Sequence, residues 1–262
     1  MNSASAVRYE YRGDRLIRDA ATAIFTVLIA LVGAVMMTVT SSPLVKGASF
    51  LWLPAALQLM AGVWLGPLRG LIAGAIGAQA AGIIAYGGWA PADWIMNLIA
   101  GGVANAWLPG VLFRQLGIDP SFGSRTDSLW RAGLTMLLLI ILVLILAILP
   151  LLLGERIGLT GGFGFVPPIV ALLIVPLVWR SMTLDTRAFF TALVIVVVSC
   201  LVSAGIGIAG AVVGGQTWQG ALYGTGIGWF LGDTASAILG LYMLAQFTDR
   251  AESVGFAPKI VR

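Results

Sequence analysis

Long apolar stretches restrict the fold of this chain more than any other feature of its sequence. A helix needs about 20 mainly apolar residues to cross the hydrocarbon core of a bilayer. Eight stretches are interpreted as spans: 19–41, 49–66, 70–87, 93–113, 132–153, 165–179, 188–213 and 219–247. Hydrophobic residues make up 59% of the chain and charged residues 10%, against about 45–50% and about 25% in soluble domains. The sequence therefore predicts an all-α fold: a polytopic transmembrane helical bundle of about eight spans.

The positive charges predict how this bundle is oriented. With eight spans, thirteen of the 15 Lys and Arg residues fall on one side of the membrane, and only Lys46 and Arg156 fall on the other. Cytoplasmic loops carry an excess of Lys and Arg, so we expect residues 1–18 and 248–262 to be the cytoplasmic ends of a single domain, 19–247, in the cell (inner) membrane. The same charges meet lipid headgroups, and no nucleic-acid partner is expected.

Residue types that are rare or absent narrow the chemistry. The chain has no histidine, which removes Ser–His catalysis and histidine-bound haem or zinc. Its single cysteine, Cys200, excludes an intramolecular disulfide and a multi-cysteine metal site. The sequence has no carboxylate pair, no nucleophile with a base, and no glycine-rich phosphate loop followed by Lys. We therefore expect no enzymatic activity, no cofactor and no metal.

Small residues at every fourth position predict which helices pack at the centre, because such ladders let two helix backbones approach closely. Four spans carry them, the third, fourth, seventh and eighth: Gly70, Gly74, Ala78 and Gly82; Gly102, Ala106 and Gly110; Ser199, Ser203, Gly207, Ala211 and Gly215; Gly224, Gly228, Gly232, Ser236 and Gly240. These are the third and fourth spans of each half. The pattern suggests two four-helix units in a 4+4 parallel repeat.

Asp233 is the most informative single residue, because it lies inside the eighth span. An ionised carboxylate deep in a membrane costs at least about 2.5 kcal/mol, so it must be paired, hydrated or neutral. Trp229, one turn earlier, falls on the same helix face. Asp233 is predicted to be a ligand contact, a proton site or the partner of an arginine such as Arg69, Arg114 or Arg180. The alternative, weighted equally, is a carboxylate that locks helices together through such a pair.

Four side-chain amides are the other candidates for a site. Asn97 and Asn105 lie on much the same face of the fourth span, and Gln58 and Gln79 lie in the second and third. Amides both donate and accept hydrogen bonds, so these could ring a pocket for a small polar or aromatic ligand; interhelical hydrogen bonding is the alternative. Trp107, like Trp229, lies well inside its span, where the indole N–H needs a partner or a polar cavity.

Three segments resemble the bacterial membrane-associated sensor domains of the first type. Residues 50–66, F-L-W-L-P-A-A-L-Q-L-M-A-G-V-W-L-G, are similar to that family's second helix, which opens on W-P-P-A-G. Residues 97–120 are similar to its fourth helix and the arginine-containing turn that follows. Residues 229–240, W-F-L-G-D-T-A-S-A-I-L-G, resemble its closing W-x-x-G-D-A-x-G motif. The resemblance covers most of the chain and implies eight helices and a sensor role in signal transduction.

A second resemblance points to transport. Residues 66–77, G-P-L-R-G-L-I-A-G-A-I-G, look like a segment of the substrate-capture subunits of energy-coupling-factor vitamin importers. Those subunits carry an A-x-x-x-A contact for their transmembrane partner on the first helix, and Ala30 and Ala34 supply that spacing here. This resemblance implies a subunit that binds a vitamin or another small solute.

The leading hypothesis is a stand-alone, sensor-like, non-enzymatic membrane protein. It would bind a small ligand or a partner membrane protein, such as a signalling output protein, between its two halves. The predicted ligand-binding residues are Asn97, Asn105, Trp107, Trp229, Asp233, Gln58 and Gln79. A substrate-binding subunit of an importer is the second hypothesis, and a structural subunit of a larger membrane complex is the third.

Overall fold

The computed structural model describes residues 8–11, 13–39, 52–87, 95–123 and 185–261. The elements of these residues, in chain order, are β1 (Arg8–Glu10), α1 (Arg15–Val39), α2 (Pro54–Leu65), α3 (Pro67–Tyr86), the π-helical segment π1 (Asn97–Trp107), α4 (Leu108–Gln115), α5 (Thr186–Val213), a single turn (Trp218–Gly220), the π-helical segment π2 (Ala221–Gly226), α6 (Ile227–Ser253) and β2 (Lys259–Val261). The predicted spans 132–153 and 165–179 lie outside the described residues.

The prediction of an all-α, membrane-type bundle is confirmed. Four helical stretches of the described residues are long and apolar enough to cross a membrane: Arg15–Thr38, Pro67–Tyr86, Arg187–Val213 and Trp218–Ser253. A shorter apolar helix, Pro54–Leu65, packs among them. The β structure of the described residues is one antiparallel pair, β1 with β2, which joins the two ends of the chain.

Helix α2 is shorter than the predicted span 49–66 because it begins only at Pro54, whereas Gly66 and Pro67 end it where the span was predicted to end. Gly66 has φ of 100°, a conformation that suits glycine, and Pro67 starts α3 at its first turn, where its missing N–H costs nothing. With Pro54 at the other end, α2 has 12 residues and a length of about 18 Å. The chain therefore reverses direction sharply between α2 and α3.

Helix α2 forms the buried centre, and glycines allow its neighbours to approach it closely. A Cβ on Gly62 would lie 1.9 Å from the carbonyl oxygen of Ala106. Gly70 of α3 and Gly110 of α4 also press on Gly62, because a Cβ on either would lie within 2.5 Å of its backbone. The ladders correctly placed Gly70 and Gly110 at close contacts. They missed α2 itself, because its small residues do not recur at every fourth position.

One end of the bundle gathers the arginines, and we call it the arginine end; it carries Arg18, Arg69, Arg114 and Arg250. Both strands lie at this end, so residues 8–10 and 259–261 lie together. Arg69 donates two hydrogen bonds to Asp19, at 3.0 and 2.7 Å.

Arg114 ties the N-terminal segment to the end of α2. It donates to the carbonyl oxygens of Gly62 at 3.2 Å and Val63 at 3.1 Å, and to the Tyr11 hydroxyl. The Tyr9 ring lies 5.3 Å from the Arg114 guanidinium carbon. Burial raises the pKa of Tyr9 above its ordinary value, and Arg114 opposes that shift. Arg114 therefore packs Tyr9 and Tyr11 of the N-terminal segment against the end of α2.

Trp64, near the end of α2, lies in the interior of the bundle. Its indole N–H donates to the Thr248 hydroxyl at 3.0 Å, and its ring meets Phe25 edge-on at 6.2 Å. A buried indole needs such a partner. These contacts place Trp64 between α1 and α6.

Candidate functional site

Asp233 lies near the middle of the bundle, on α6. It is 15 residues after Trp218 and 17 before Arg250, so it lies roughly 22–26 Å from either point along the helix. Its side chain is 3% exposed. Oδ2 accepts hydrogen bonds from the Ser203 hydroxyl at 2.7 Å and from Asn105 Nδ2 at 3.1 Å. One carboxylate oxygen thus joins α6 to α5 and π1.

The Asn105 amide extends this network to the buried helix α2. Its Nδ2 also donates to Gln58 Oε1 at 3.3 Å, and Gln58 Nε2 lies 3.5 Å from the Gly74 carbonyl oxygen of α3. The Asn105 carbonyl oxygen, in contrast, is buried without a hydrogen-bond partner among the described residues. Five helical segments therefore meet at one polar cluster, which retains an unused acceptor.

A second amide pair lies nearer the end opposite the arginines. Asn97 Nδ2 donates to Gln79 Oε1 at 2.6 Å, which links the start of π1 to α3. Gln79 is buried, whereas Asn97 is partly exposed. The four predicted amides therefore form two pairs along one side of π1. In each pair an asparagine of π1 donates to a buried glutamine of α2 or α3.

The π-helical geometry of π1 determines which of its residues face the site. Its hydrogen bonds span five residues, as from Leu108 N to the Val103 carbonyl oxygen, so each turn holds more residues than an α-helical turn. Asn97, Gly101 and Asn105, spaced by four, stay on the inner side. Trp107 does not join them: it is 38% exposed on the outside of the bundle. Trp107, which was predicted to line the ligand site, is not among the residues that line the cavity, because two residues after Asn105 it lies on the opposite side of π1.

A cavity of about 50 Å³ lies against Asp233, which is room for a few water molecules, since each needs about 10–15 Å³. It is lined by residues from α1, the start of α2, α3, π1, α5 and α6: Met37, Trp52, Ala78, Asn97, Ala100, Gly101, Asn105, Ser203, Trp229 and Asp233. Met37 lies two residues before the end of α1, Trp52 precedes α2 and Asn97 begins π1. Those three lie towards the end opposite the arginines, so the cavity reaches inward from that end.

Trp229 forms part of the cavity wall and is held by a glycine of α5. A Cβ on Gly207 would lie 2.6 Å from the indole Cε3 of Trp229, so only glycine leaves space for the ring there. Trp229 precedes Asp233 by four residues on α6, which puts both on one face. The prediction that these two residues share a site therefore agrees with their common lining of the cavity.

Six lining residues were absent from the predicted set: Met37, Trp52, Ala78, Ala100, Gly101 and Ser203. Ser203 appeared in the sequence only as a small residue of the seventh-span ladder, yet its hydroxyl donates the shorter hydrogen bond to Asp233. Trp52 had the pattern of an interfacial aromatic, and Met37 that of an ordinary apolar residue. Ser203 had one usable signal: a hydroxyl inside a membrane helix needs an acceptor. Nothing in the sequence singles out Met37.

No arginine of the described residues pairs with Asp233. Arg69 is bound to Asp19, and Arg114 to backbone carbonyl groups and Tyr11 at the arginine end. The prediction that one of these two could be its partner is therefore wrong; Arg180 lies outside the described residues. In the described part of the chain, no group of three or more Cys, Asp or Glu residues is placed to hold a metal ion.

No family model, curated protein or solved structure matches this chain. The likeness to sensor domains and the likeness to substrate-capture subunits therefore both remain predictions. The site has to be interpreted from its own geometry.

Proposed function

We propose that this chain is a non-enzymatic, sensor-like membrane protein that binds a small ligand in the cavity beside Asp233. The observation that carries the proposal is a cavity in the middle of a helical bundle that is lined by a buried carboxylate. Polar groups inside a membrane bundle are costly and usually functional. Helices that only needed to be locked together through Asp233 would not require a cavity beside it.

The eight-span topology with cytoplasmic termini belongs to the same proposal. The backbone N–H of Asp185 donates to the Phe122 carbonyl oxygen at 2.7 Å, so residues 123 and 185 lie at the same end of the bundle. A segment with both ends on one side crosses a membrane an even number of times, which agrees with two spans between them. With six passes around them, the total is eight. The arginines at that end support a cytoplasmic orientation in the inner membrane.

The importer hypothesis gains from one observation and loses from another. A cavity that reaches inward from the side opposite the cytoplasmic arginines would suit the capture of an external solute. Ala30 and Ala34, however, are both buried within the chain's own bundle, so they offer no contact to a transmembrane partner subunit. We therefore keep the sensor-like role first, the importer subunit second and the structural subunit third.

Native mass spectrometry of the full chain, released from its own membrane, tests ligand binding. We expect a bound small molecule in the wild type, and its loss in Ala100→Leu, because Ala100 lines the cavity and three added carbons would fill it. Leu98→Ala is the matched control, since Leu98 of the same segment is exposed on the outside. Equal occupancy in all three proteins would contradict the proposal.

Affinity purification in mild detergent distinguishes the three roles. A sensor-like protein is expected to recover a signalling kinase or cyclase. An importer subunit would bring down an ATPase pair and a coupling subunit, and a structural subunit a stoichiometric assembly. Recovery of the ATPase pair would reverse our order of preference while leaving the cavity in place.

A further inference from the structure

We propose that the ligand is a small organic monoamine whose ammonium group binds to Asp233; this rests on the proposed ligand-binding function. Asp233 is the one charged residue that lines the cavity in the described part of the chain. The two described arginines that were predicted as partners, Arg69 and Arg114, have other partners at the arginine end. A carboxyl group in this setting is protonated or needs a positive charge or water, because leaving it ionised and unpaired is costly. The charge of one carboxylate matches one ammonium group.

The unused polar atoms at the inner end of the cavity are acceptors. Both hydrogen bonds to Asp233 go to Oδ2, which leaves Oδ1 without a donor among the described residues. The Asn105 carbonyl oxygen also lacks a partner among these residues, but it is fully buried. The Ser203 hydroxyl proton and the Asn105 amide protons are already directed to the network. A ligand that donates an N–H bond fits Oδ1 of Asp233, whereas an anion would meet a carboxylate and no free donor from this cluster.

The cavity walls and size define the rest of the ligand. Two indoles, Trp52 and Trp229, line the cavity, and an aromatic face attracts a cation within about 6 Å. Met37 adds an apolar, adaptable surface. A volume of about 50 Å³ holds the equivalent of only a few water molecules. The inner part of the ligand is therefore an ammonium group with a short carbon chain. Any larger portion of the ligand would point towards Met37.

Calorimetric titration of the full chain in lipid nanodiscs tests this with three probes of equal length at pH 7: n-propylamine, 1-propanol and propionate. We expect propylamine to bind at least tenfold more tightly than propanol, and propionate not to bind. Asp233→Asn should lower the propylamine affinity at least tenfold and abolish its advantage over propanol. Asp249→Asn removes an exposed carboxylate from the same helix and should change neither value.

A second variant guards against misfolding of Asp233→Asn. Ser203→Ala keeps the carboxylate and removes one donor, so propylamine should still be preferred over propanol. Three results would overturn the amine assignment. The preference for propylamine over propanol is lost in Ser203→Ala, or it survives in Asp233→Asn, or equimolar NaCl displaces propylamine. If propanol or propionate binds best, and Ala100→Leu abolishes that binding, the amine assignment fails but the cavity remains a ligand site. If no probe binds, the amine assignment also fails, and native mass spectrometry decides on the cavity separately.

Discussion

Replacing Gly62 by alanine should destabilise the bundle, because α2 has no space for even one methyl group at this position. The added Cβ would lie 1.9 Å from the carbonyl oxygen of Ala106, whereas an ordinary contact begins near 3.4 Å. The helices would therefore have to separate by roughly 1.5 Å. A backbone carbonyl cannot rotate away as a side chain can, and overpacking of this kind costs about 1–3 kcal/mol or more.

The intrinsic preference for alanine over glycine in a helix, about 1 kcal/mol, acts in the opposite direction. Gly70 and Gly110 contact the same point of α2, so the displacement would spread to α3 and α4. An overpacking cost of about 3 kcal/mol, reduced by the helix preference of about 1 kcal/mol, leaves a net loss. We therefore expect Gly62→Ala to lower the free energy of unfolding by about 2 kcal/mol.

The matched control is Gly82→Ala on α3. A Cβ on Gly82 would meet no heavy atom of the described residues within 4 Å, so only the helix preference should act, and stability should stay equal or rise by up to about 1 kcal/mol. Reversible denaturation in mixed detergent micelles, followed by circular dichroism, gives both values. If Gly62→Ala proves as stable as Gly82→Ala, the close packing around α2 described above is wrong.

Two further predictions concern neighbouring contacts. Gly207→Ala should push the Trp229 ring out of place and weaken propylamine binding several-fold. Gly205→Ala should leave the titration unchanged, because a Cβ there would meet no atom of the described part of the chain within 4 Å. Equal affinities would show that Gly207 does not position the indole. Thr248→Val removes the acceptor of the Trp64 N–H and should lower the free energy of unfolding by about 0.6–1.7 kcal/mol. In a Trp64→Phe background, where no indole N–H is present, the same Thr248→Val substitution should cost much less.

Much of the fold follows from the sequence, because long apolar stretches have few alternatives in a membrane. Helices α1, α3, α5 and α6 all coincide with predicted spans. The short α2 did not follow, since apolar content alone cannot show that the helix begins only at Pro54. Strands β1 and β2 were not predicted either, because pairing between the two ends of a chain leaves no local pattern.

The candidate site was predictable where α-helical periodicity holds. Trp229 and Asp233, four residues apart, share a face of α6 as expected. Trp107 was proposed because an indole deep in a span needs a partner or a polar cavity, but two residues after Asn105 it lies on the opposite side of the segment with either α-helical or π-helical spacing. The role of Ser203 was missed because a serine in a small-residue ladder looks the same whether it packs or donates to a distant carboxylate.

The central claim, a cavity beside Asp233 that water reaches from the side opposite the termini, can be measured by thiol labelling of intact cells. In a Cys200→Ala background, Asn97→Cys would place a thiol at the cavity, and Val198→Cys would place one on the exposed side of α5, roughly 18 Å from its start and so at lipid depth. An impermeant reagent added outside should label Asn97→Cys and spare Val198→Cys. Labelling of Asn97→Cys only after the cells are broken, or of neither variant, would contradict the account.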